Sequence, residues 1–363
     1  MTAARRSARA AALPLLLALA SSCGSDAVLE DPVDPTPLPS VSVAPTPGGI
    51  VQLDLPKFRG ISDVVEPDVV HVPSGWRGFN YWMAYNPYPG GDDEYENASI
   101  VAGQDGFAWS VPDGLTNPVA PWPSGAIVHN SDPDLVYVPQ LDRMVLFYRA
   151  VTVSRNVLFA KSSTDGRNWG KAQMVLDAPS HSLVSPSIVL PTSRRPKLFY
   201  VDAGQDGCFA HVTATMMRRW MGDLHRDDAL VGPGWSDTVR TDLNGPPGYL
   251  IWHLDVIWVD ERQEYWAIFP AFAAGADCNS ADLFMARSRD AVHWQVLADP
   301  VLRRGDVTWG GSTLYRASLE YDANASMFRV WLSARSIVGD WRIGHETFPV
   351  ANVLAALRRA DQP

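Results

Sequence analysis

Apolar and polar positions alternate in short runs along most of the chain, and one seven-residue phrase recurs five times. It reads EPDVVHV (66–72), DPDLVYV (132–138), SPSIVLP (185–191), HLDVIWV (253–259) and, most degenerate, RASLEYD (316–322). Its third residues, Asp68, Asp134, Ser187, Asp255 and Ser318, follow one another at gaps of 66, 53, 68 and 63 residues. A second apolar run follows each copy: YWMAY (81–85), MVLFYR (144–149), KLFYV (197–201), YWAIF (265–269) and FRVWLSA (328–334). A third run comes after it, such as SIVAG (99–103) or DLFMARS (282–288). Three units then close in an Asp-box-like turn, QDGFAW (104–109), STDGRNW (163–169) and SRDAVHW (288–294), whose Asp caps the turn while its Trp packs beneath. Short β-rich runs bounded by turn residues predict strands. Repetition of three to four antiparallel strands at this period predicts propeller blades.

The expected fold is therefore all-β, a five-bladed β-propeller of antiparallel four-stranded blades spanning residues 50–363. The blades fall at about 64–125, 127–180, 182–245, 249–300 and 302–348. Ile50–Leu55 alternates like a strand and is placed to complete the fifth blade, joining the two ends of the folded part. Val350 to Arg359 reads as a short closing helix with its Arg pair in the last turn.

In a propeller the first strand of each blade lines the central channel, and alternate side chains share a face. The first and third residues of the phrase are thus expected on the axis: Glu66 with Asp68, Asp132 with Asp134, Ser185 with Ser187, His253 with Asp255, and Arg316 with Ser318. Carboxylates crowded in this way have perturbed pKa values. Asp68, Asp134, Asp255 and His253 also make a set of donors suited to Ca²⁺ in the channel. No dedicated calcium loop is visible, and the metal is left unassigned.

Composition adds a destination. Arg5, Arg6 and Arg9, an apolar stretch from Ala10 to Ala20 and small residues before Cys23 make residues 1–22 a secretory signal, too short for a membrane span. Ala20-Ser21-Ser22-Cys23 resembles a bacterial lipobox, so Cys23 is the expected site of lipidation. Residues 23–49, rich in Pro and Ser, form a tether that cannot bury enough surface to order itself. With Gly24 after the Cys, the expected destination is the cell envelope, the outer membrane in a Gram-negative host. Loss of 22 residues leaves 27 of the 30 basic residues against 40 acidic ones, a net charge of −13. Such a chain is a poor partner for nucleic acid, and membrane contact is expected only through the lipid. Carbohydrate or protein partners fit better, and the propeller is expected as a monomer. Cys208 and Cys278 are either a disulfide or two buried thiols.

The acids on the innermost strands, together with YWMAYNPYPGGDDEYENASI (81–100), SDPDLVYV (131–138), WHLDVIWV (252–259) and LYRASLEYD (314–322), resemble the five-bladed glycoside hydrolases of arabinanase, xylosidase, fructosidase and levansucrase type. Within them the resemblance points to an uncharacterised bacterial and phage subgroup, and it covers roughly residues 60–347. It implies a glycosidase in which Asp68 is the general base and Asp134 the orienting acid. The third blade offers Ser185 and Ser187 where the resemblance expects a Glu acid. Glu66 and Glu96, the latter in the acidic loop DDEYEN (92–97), are the replacement candidates, with Asp255 as a further acid. His253, Arg149, Arg316, Trp252 and Asn97 are the candidate substrate-binding residues, although Arg149 and Arg316 equally suit a structural role beside the acids. Trp122 and Trp76, in loops, join Trp252 as rings that can stack on a sugar face. The competing expectation is a propeller that binds carbohydrate or protein without catalysis. No Walker loop, dinucleotide fingerprint, zinc-spaced Cys/His set or nucleophile elbow is present.

Overall fold

The computed structural model describes residues 49–360, apart from 193, 210–211, 224–229 and 232–233. The expected signal and, up to residue 48, the expected tether, with Cys23, lie outside the described residues. Five antiparallel sheets follow one another along the chain. Their innermost strands are Val64–Trp76, Ile127–Val138, Val184–Val189, Asp255–Val259 and Thr313–Asp322. The second strands are Phe79–Pro87, Arg143–Thr152, Lys197–Asp202, Glu264–Ala273 and Met327–Arg335. The recurring phrase sits on the innermost strand of every blade, as its period predicts. Four of the blades have at least four strands, whereas blade one has three and an isolated bridge from Ala102 to Ser110. In blade four the inner strand is broken, so that Tyr249–Ile251 and Asp255–Val259 both pair with Glu264–Ala273 and leave Trp252–Leu254 out of the ladder.

The hydrophobic cores lie in the seams between neighbouring blades. Trp82 and Ile100 of blade one pack with Leu135 and Tyr148 of blade two. Phe147 and Leu158 meet Leu198 and Tyr200 of blade three, and Phe199 and Val201 meet Phe269 and Phe284 of blade four. Trp266 and Met285 then join Leu332 and Phe348 of blade five, where Val353 and Leu357 of the helix Val350–Ala360 cover the seam. In the last seam Leu53, Leu55, Tyr81 and Met83 pack against Trp331 and Ile343. Here the early strand Val51–Gln52 pairs with Trp341–Pro349 as the outermost strand of blade five, closing the ring with the two ends of the fold.

The Asp-box-like turns form as their sequence predicts. Asp105, Asp165 and Asp290 each accept two successive backbone N–H groups, at 2.7 to 2.9 Å. The positive φ of Gly106 and Gly166 has a packing reason as well as a turn reason. A Cβ on Gly166 would lie 2.3 Å from the ring of Trp82, and one on Gly106 2.9 Å from Trp331. Both tryptophans belong to a neighbouring blade, so each turn seats on its neighbour's core. Cys208 and Cys278 form a disulfide between blades three and four, with Cα atoms 5.7 Å apart.

Candidate active site at the propeller axis

In blades one to three the phrase begins X-Pro-X, and its first residue adopts a left-handed backbone: φ is 59° at Glu66, 50° at Asp132 and 51° at Ser185. The ladder register shifts there, between Val65 and Asp68 and between Ser131 and Asp134. A bulge of this kind re-aims a side chain at a cost of roughly 1–3 kcal/mol of backbone strain. First and third residues both reach the axis, as expected from sequence, but they form two distinct rings and not one face.

The third-residue ring is a closed set of staples. Asp68 accepts the N–H of Leu135 at 2.6 Å, Asp134 that of Ile188 at 3.2 Å, and the Ser187 hydroxyl that of Val256 at 3.0 Å. Asp255 accepts the N–H of Leu319 at 2.8 Å, and the Ser318 hydroxyl that of Val69 at 2.9 Å. Each bond runs from one blade to the same position of the next, and five of them complete the circle. Asp68, Asp134 and Asp255 also bring carboxylate oxygens within 4.8 Å of one another, a set able to hold a hard cation. Burial and then Asp255 push the carboxyl of Asp68 up to about 7, and burial and then Asp68 hold Asp134 well above the usual range. These acids form the floor of an open cavity of about 400 Å³, whose walls are the later residues of the same phrases, Tyr137, Trp258 and Glu320 among them.

Arg316 fills the axis between the rings. It is fully buried. Its guanidinium donates to the carbonyls of Pro133 and Pro186, the second residues of two phrases, and lies 3.7 Å from Asp68. Of the two roles the sequence left open to it, sugar contact and charge neutralisation, this position leaves only the second.

The first-residue ring, on the other side of Arg316, has different chemistry. Glu66 accepts from the Asn86 side chain at 2.7 Å and from the backbone N–H of Asp132 at 2.8 Å. Asp132 lies 2.7 Å from Arg149 and 3.3 Å from Nδ1 of His253, and accepts the N–H of Ser185. Neither nitrogen of His253 has a full hydrogen bond among the described residues, an uncommon state for a ring 1% exposed. Burial alone would raise Asp132, but Arg149 and His253 outweigh it and hold the carboxyl well below its usual range. Glu66 goes the other way, up to about 8, through burial and the neighbouring Asp132. Burial lowers His253 against the pull of Asp132, favouring the neutral ring. A carboxyl shifted down, a carboxyl shifted up and an imidazole shifted down thus lie side by side, with ligand atoms within 4.8 Å of one another that are also able to hold a metal. Environments that push neighbouring groups apart in this way are the pattern of acid and base assignments.

Around this core stand His129 and Glu96. His129 Nε2 is 3.9 Å from Glu96, and Nδ1 is 3.8 Å from Asp93. Burial, with Glu66 and Asp132 nearby, holds Glu96 well above the usual carboxyl range, and burial and Arg149 lower His129. The side chain of Trp252 donates to the hydroxyl of Tyr315 at 3.2 Å, and the Tyr315 ring meets His253 edge to face at 4.2 Å.

Among the residues expected at a site, the structure gathers Glu66, Glu96, Arg149, Trp252 and His253 around Asp132. It places Asp68, Asp134 and Asp255 in the staple ring on the far side of Arg316. Asn97 is a buried clamp, donating to the carbonyls of Ala120 and Pro121 and accepting from Asn130. Trp76 is buried against Asp142 and offers no face for stacking. Asp132 is the centre of the arrangement, and its place at the head of DPDLVYV was legible. His129 lay outside every motif, and Tyr315 was quoted in LYRASLEYD (314–322) without being singled out. Only the return of their strands to the axis brings them in.

No protein-family model matches the chain. An A-type blood N-acetyl-α-D-galactosamine deacetylase of Flavonifractor plautii is 29% identical over 316 residues. The match takes in 75% of this chain but only 40% of that relative, so the chain spans well under half its length. The crystal structure of an N-acetylgalactosamine deacetylase from F. plautii, in complex with blood group B trisaccharide, is 26% identical and superposes with a TM-score of 0.74 over 85% of this chain and 97% of that one. A thermostable family-43 glycoside hydrolase matches 84% of this chain and 92% of its own at a TM-score of 0.54 and 13% identity. An α-L-arabinanase of Penicillium chrysogenum matches 84% and 98% at 0.51 and 11%. At such identities these last two share the fold alone. The chain is a five-bladed β-propeller whose structural neighbours are arabinanase-like family-43 glycoside hydrolases and an N-acetylgalactosamine deacetylase of the same fold.

Proposed function

We propose that this chain is a carbohydrate-processing hydrolase that removes the acetyl group from an N-acetylated amino sugar. The observation that carries the reading is the superposition on the deacetylase at a TM-score of 0.74 along 97% of that chain, far above the two glycosidases. The geometry at the axis supports it. A glycosidase needs two carboxyl groups flanking the scissile bond at about 5 Å or more. Here Asp68, Asp134 and Asp255 each already hold a backbone N–H of the next blade, which ties them to the staple ring. Hydrolysis of an amide needs instead a base for the attacking water, a donor for the oxyanion and an acid for the leaving nitrogen.

The first-residue ring supplies these parts. Asp132, ionised beside Arg149, orients His253 through Nδ1, and Nε2 takes a proton as the water oxygen bonds to the acetyl carbon. The Tyr315 hydroxyl, steered by Trp252, donates to the developing oxyanion. Glu96, protonated in its buried place against His129, passes its proton to the sugar nitrogen as the C–N bond breaks. Acetate and a free amino sugar leave. If a metal binds, Glu66, Asp132 and His253 are the residues to hold it, and it would supply charge for the oxyanion.

Purified protein is incubated with a panel of N-acetylated mono- and oligosaccharides together with arabinan, xylan and fructan, and both acetate and new reducing ends are measured. Acetate release, cut by about 10²-fold or more in Asp132→Asn with the fold intact, is the expected result. New reducing ends without acetate would return the reading to a glycosidase, and binding without either product would make the propeller a lectin-like module.

Export and tethering through an acylated Cys23 belong to the same proposal. The Cys208–Cys278 disulfide fits an oxidising compartment. Cys23→Ser is expected to move the protein from the membrane fraction to the soluble one, and its retention on membranes would refute the anchor.

A further inference from the structure

We propose that Phe58, Tyr95 and Trp122 form a second sugar subsite beside the reaction centre, one that takes a neutral sugar linked to the reacting residue. It rests on the deacetylase reading for the identity of that residue. Three segments distant in sequence converge there. The first is a tight hairpin in which Phe58 and Ile61 exchange both backbone hydrogen bonds, at 3.0 and 2.8 Å, with positive φ at Arg59 and Gly60 between them. The second is the short helical turn Asp93–Tyr95, which ends where Glu96 begins. The third is the loop carrying Trp122.

The last two are tied to the site by one buried clamp. The Asn97 side chain donates to the Pro121 carbonyl at 3.4 Å, and the Asn130 side chain donates to that carbonyl at 2.9 Å and to the Asn97 side chain at 3.0 Å. Asn97 follows Glu96 and Asn130 follows His129, so these bonds tie the residue pair at the edge of the site to the base of Trp122. Phe58 stands at the junction, its ring centroid 6.0 Å from both Tyr95 and Trp122, tilted by 58° and 49°. Tilted rings at this spacing make a trough, not a closed stack.

Trp122 is 46% exposed. An aromatic face of this kind suits the C–H face of a pyranose. Arg59 lies over the Phe58 and Tyr95 rings, 5.2 Å and 5.5 Å from their centroids, so the half-exposed Trp122 is the ring left to meet a sugar, with the guanidinium beside it as a donor for sugar hydroxyls. Asp92, Asp93 and Glu94 directly precede Tyr95 at the same turn, so the local charge disfavours an acidic sugar and admits a neutral one.

The test is binding in the Asp132→Asn background, by calorimetry, with an N-acetylhexosamine and with a trisaccharide that adds two neutral hexoses to it. The trisaccharide is expected to bind at least about tenfold tighter, and Trp122→Ala to bring it to the level of the monosaccharide. Trp122→Phe should keep most of the advantage, and Tyr95→Ala should lose part of it. A thermal melt and near-UV dichroism verify that each variant folds. An equal chain-length advantage with and without Trp122, or none to begin with, would overturn the subsite. Chain-length-dependent binding that vanishes in Trp122→Ala, in a protein that releases no acetate from the same sugars, would sink the deacetylase reading and leave the subsite standing.

Discussion

Glu66 and Asp134 are both buried acids at the axis, yet they are expected to answer substitution differently. Glu66 has its carboxyl raised to about 8, whereas in an unfolded chain it titrates near 4.3. Between these values the native state keeps a proton that the unfolded chain has released, so stability falls as pH rises through that window. The contribution is complete below about 4.3 and gone once pH passes the native value of about 8. Glu66→Gln keeps an acceptor for Asn86 and the N–H of Asp132 but has no proton to lose. Its melting temperature is expected to match wild type at pH 5 and exceed it at pH 8, and a constant difference between the two would refute the protonated state. Asp134 is raised as well, but its weight lies in the staple to Ile188. Asp134→Asn retains an acceptor and relieves repulsion, so stability should hold or rise at neutral pH. Asp134→Ala orphans a buried N–H and is expected to cost about 1–3 kcal/mol in denaturant unfolding.

Among the elements, the two-residue strand Val51–Gln52 has an influence out of proportion to its length. It adds the outermost strand to blade five, and the N–H of Leu53 just beyond it bonds the carbonyl of Ile343 at 2.9 Å. Leu53 and Leu55 then fill the seam between blades five and one. A ring held shut at one seam depends on that seam, so Leu53→Ala is expected to destabilise by about 2–5 kcal/mol. Hydrogen exchange should show the loss first in Trp341–Pro349, and protection lost evenly in all blades would argue against a local latch. Blade four shows the complementary case. Breaking its inner strand at Trp252–Leu254 frees the segment that brings Trp252 and His253 to Asp132, and a continuous ladder there would have fixed both side chains by simple alternation.

For the molecule as a whole, Arg316 is the buried cation set between the two rings. It ties the carbonyls of Pro133 and Pro186 and faces Asp68, so three blades share it. Arg316→Met keeps the volume and leaves buried acids uncompensated, with an expected cost of about 3–5 kcal/mol and a pH optimum of stability shifted to the acid side. Unaltered stability at pH 8 would mean the charge is dispensable. The five-fold phrase, its Pro-centred copies and the Asp-box turns are local patterns with a fixed period, and from them the sequence alone determined the propeller, its inner strands, the closing strand and the terminal helix. It also placed an acid or its substitute at each first and third position. What it left undetermined was which acids serve which purpose. That distinction depends on the left-handed residues at Glu66 and Asp132, because the bulge splits one apparent face into two rings. It depends equally on partners 33 to 121 residues away, so His129, Glu96 and Tyr315 gain their meaning only when segments of different blades meet. Periodicity is set by each strand's own side chains and is therefore written locally. The chemistry at the axis is set by burial and by charges from other blades, and only the closed ring supplies those.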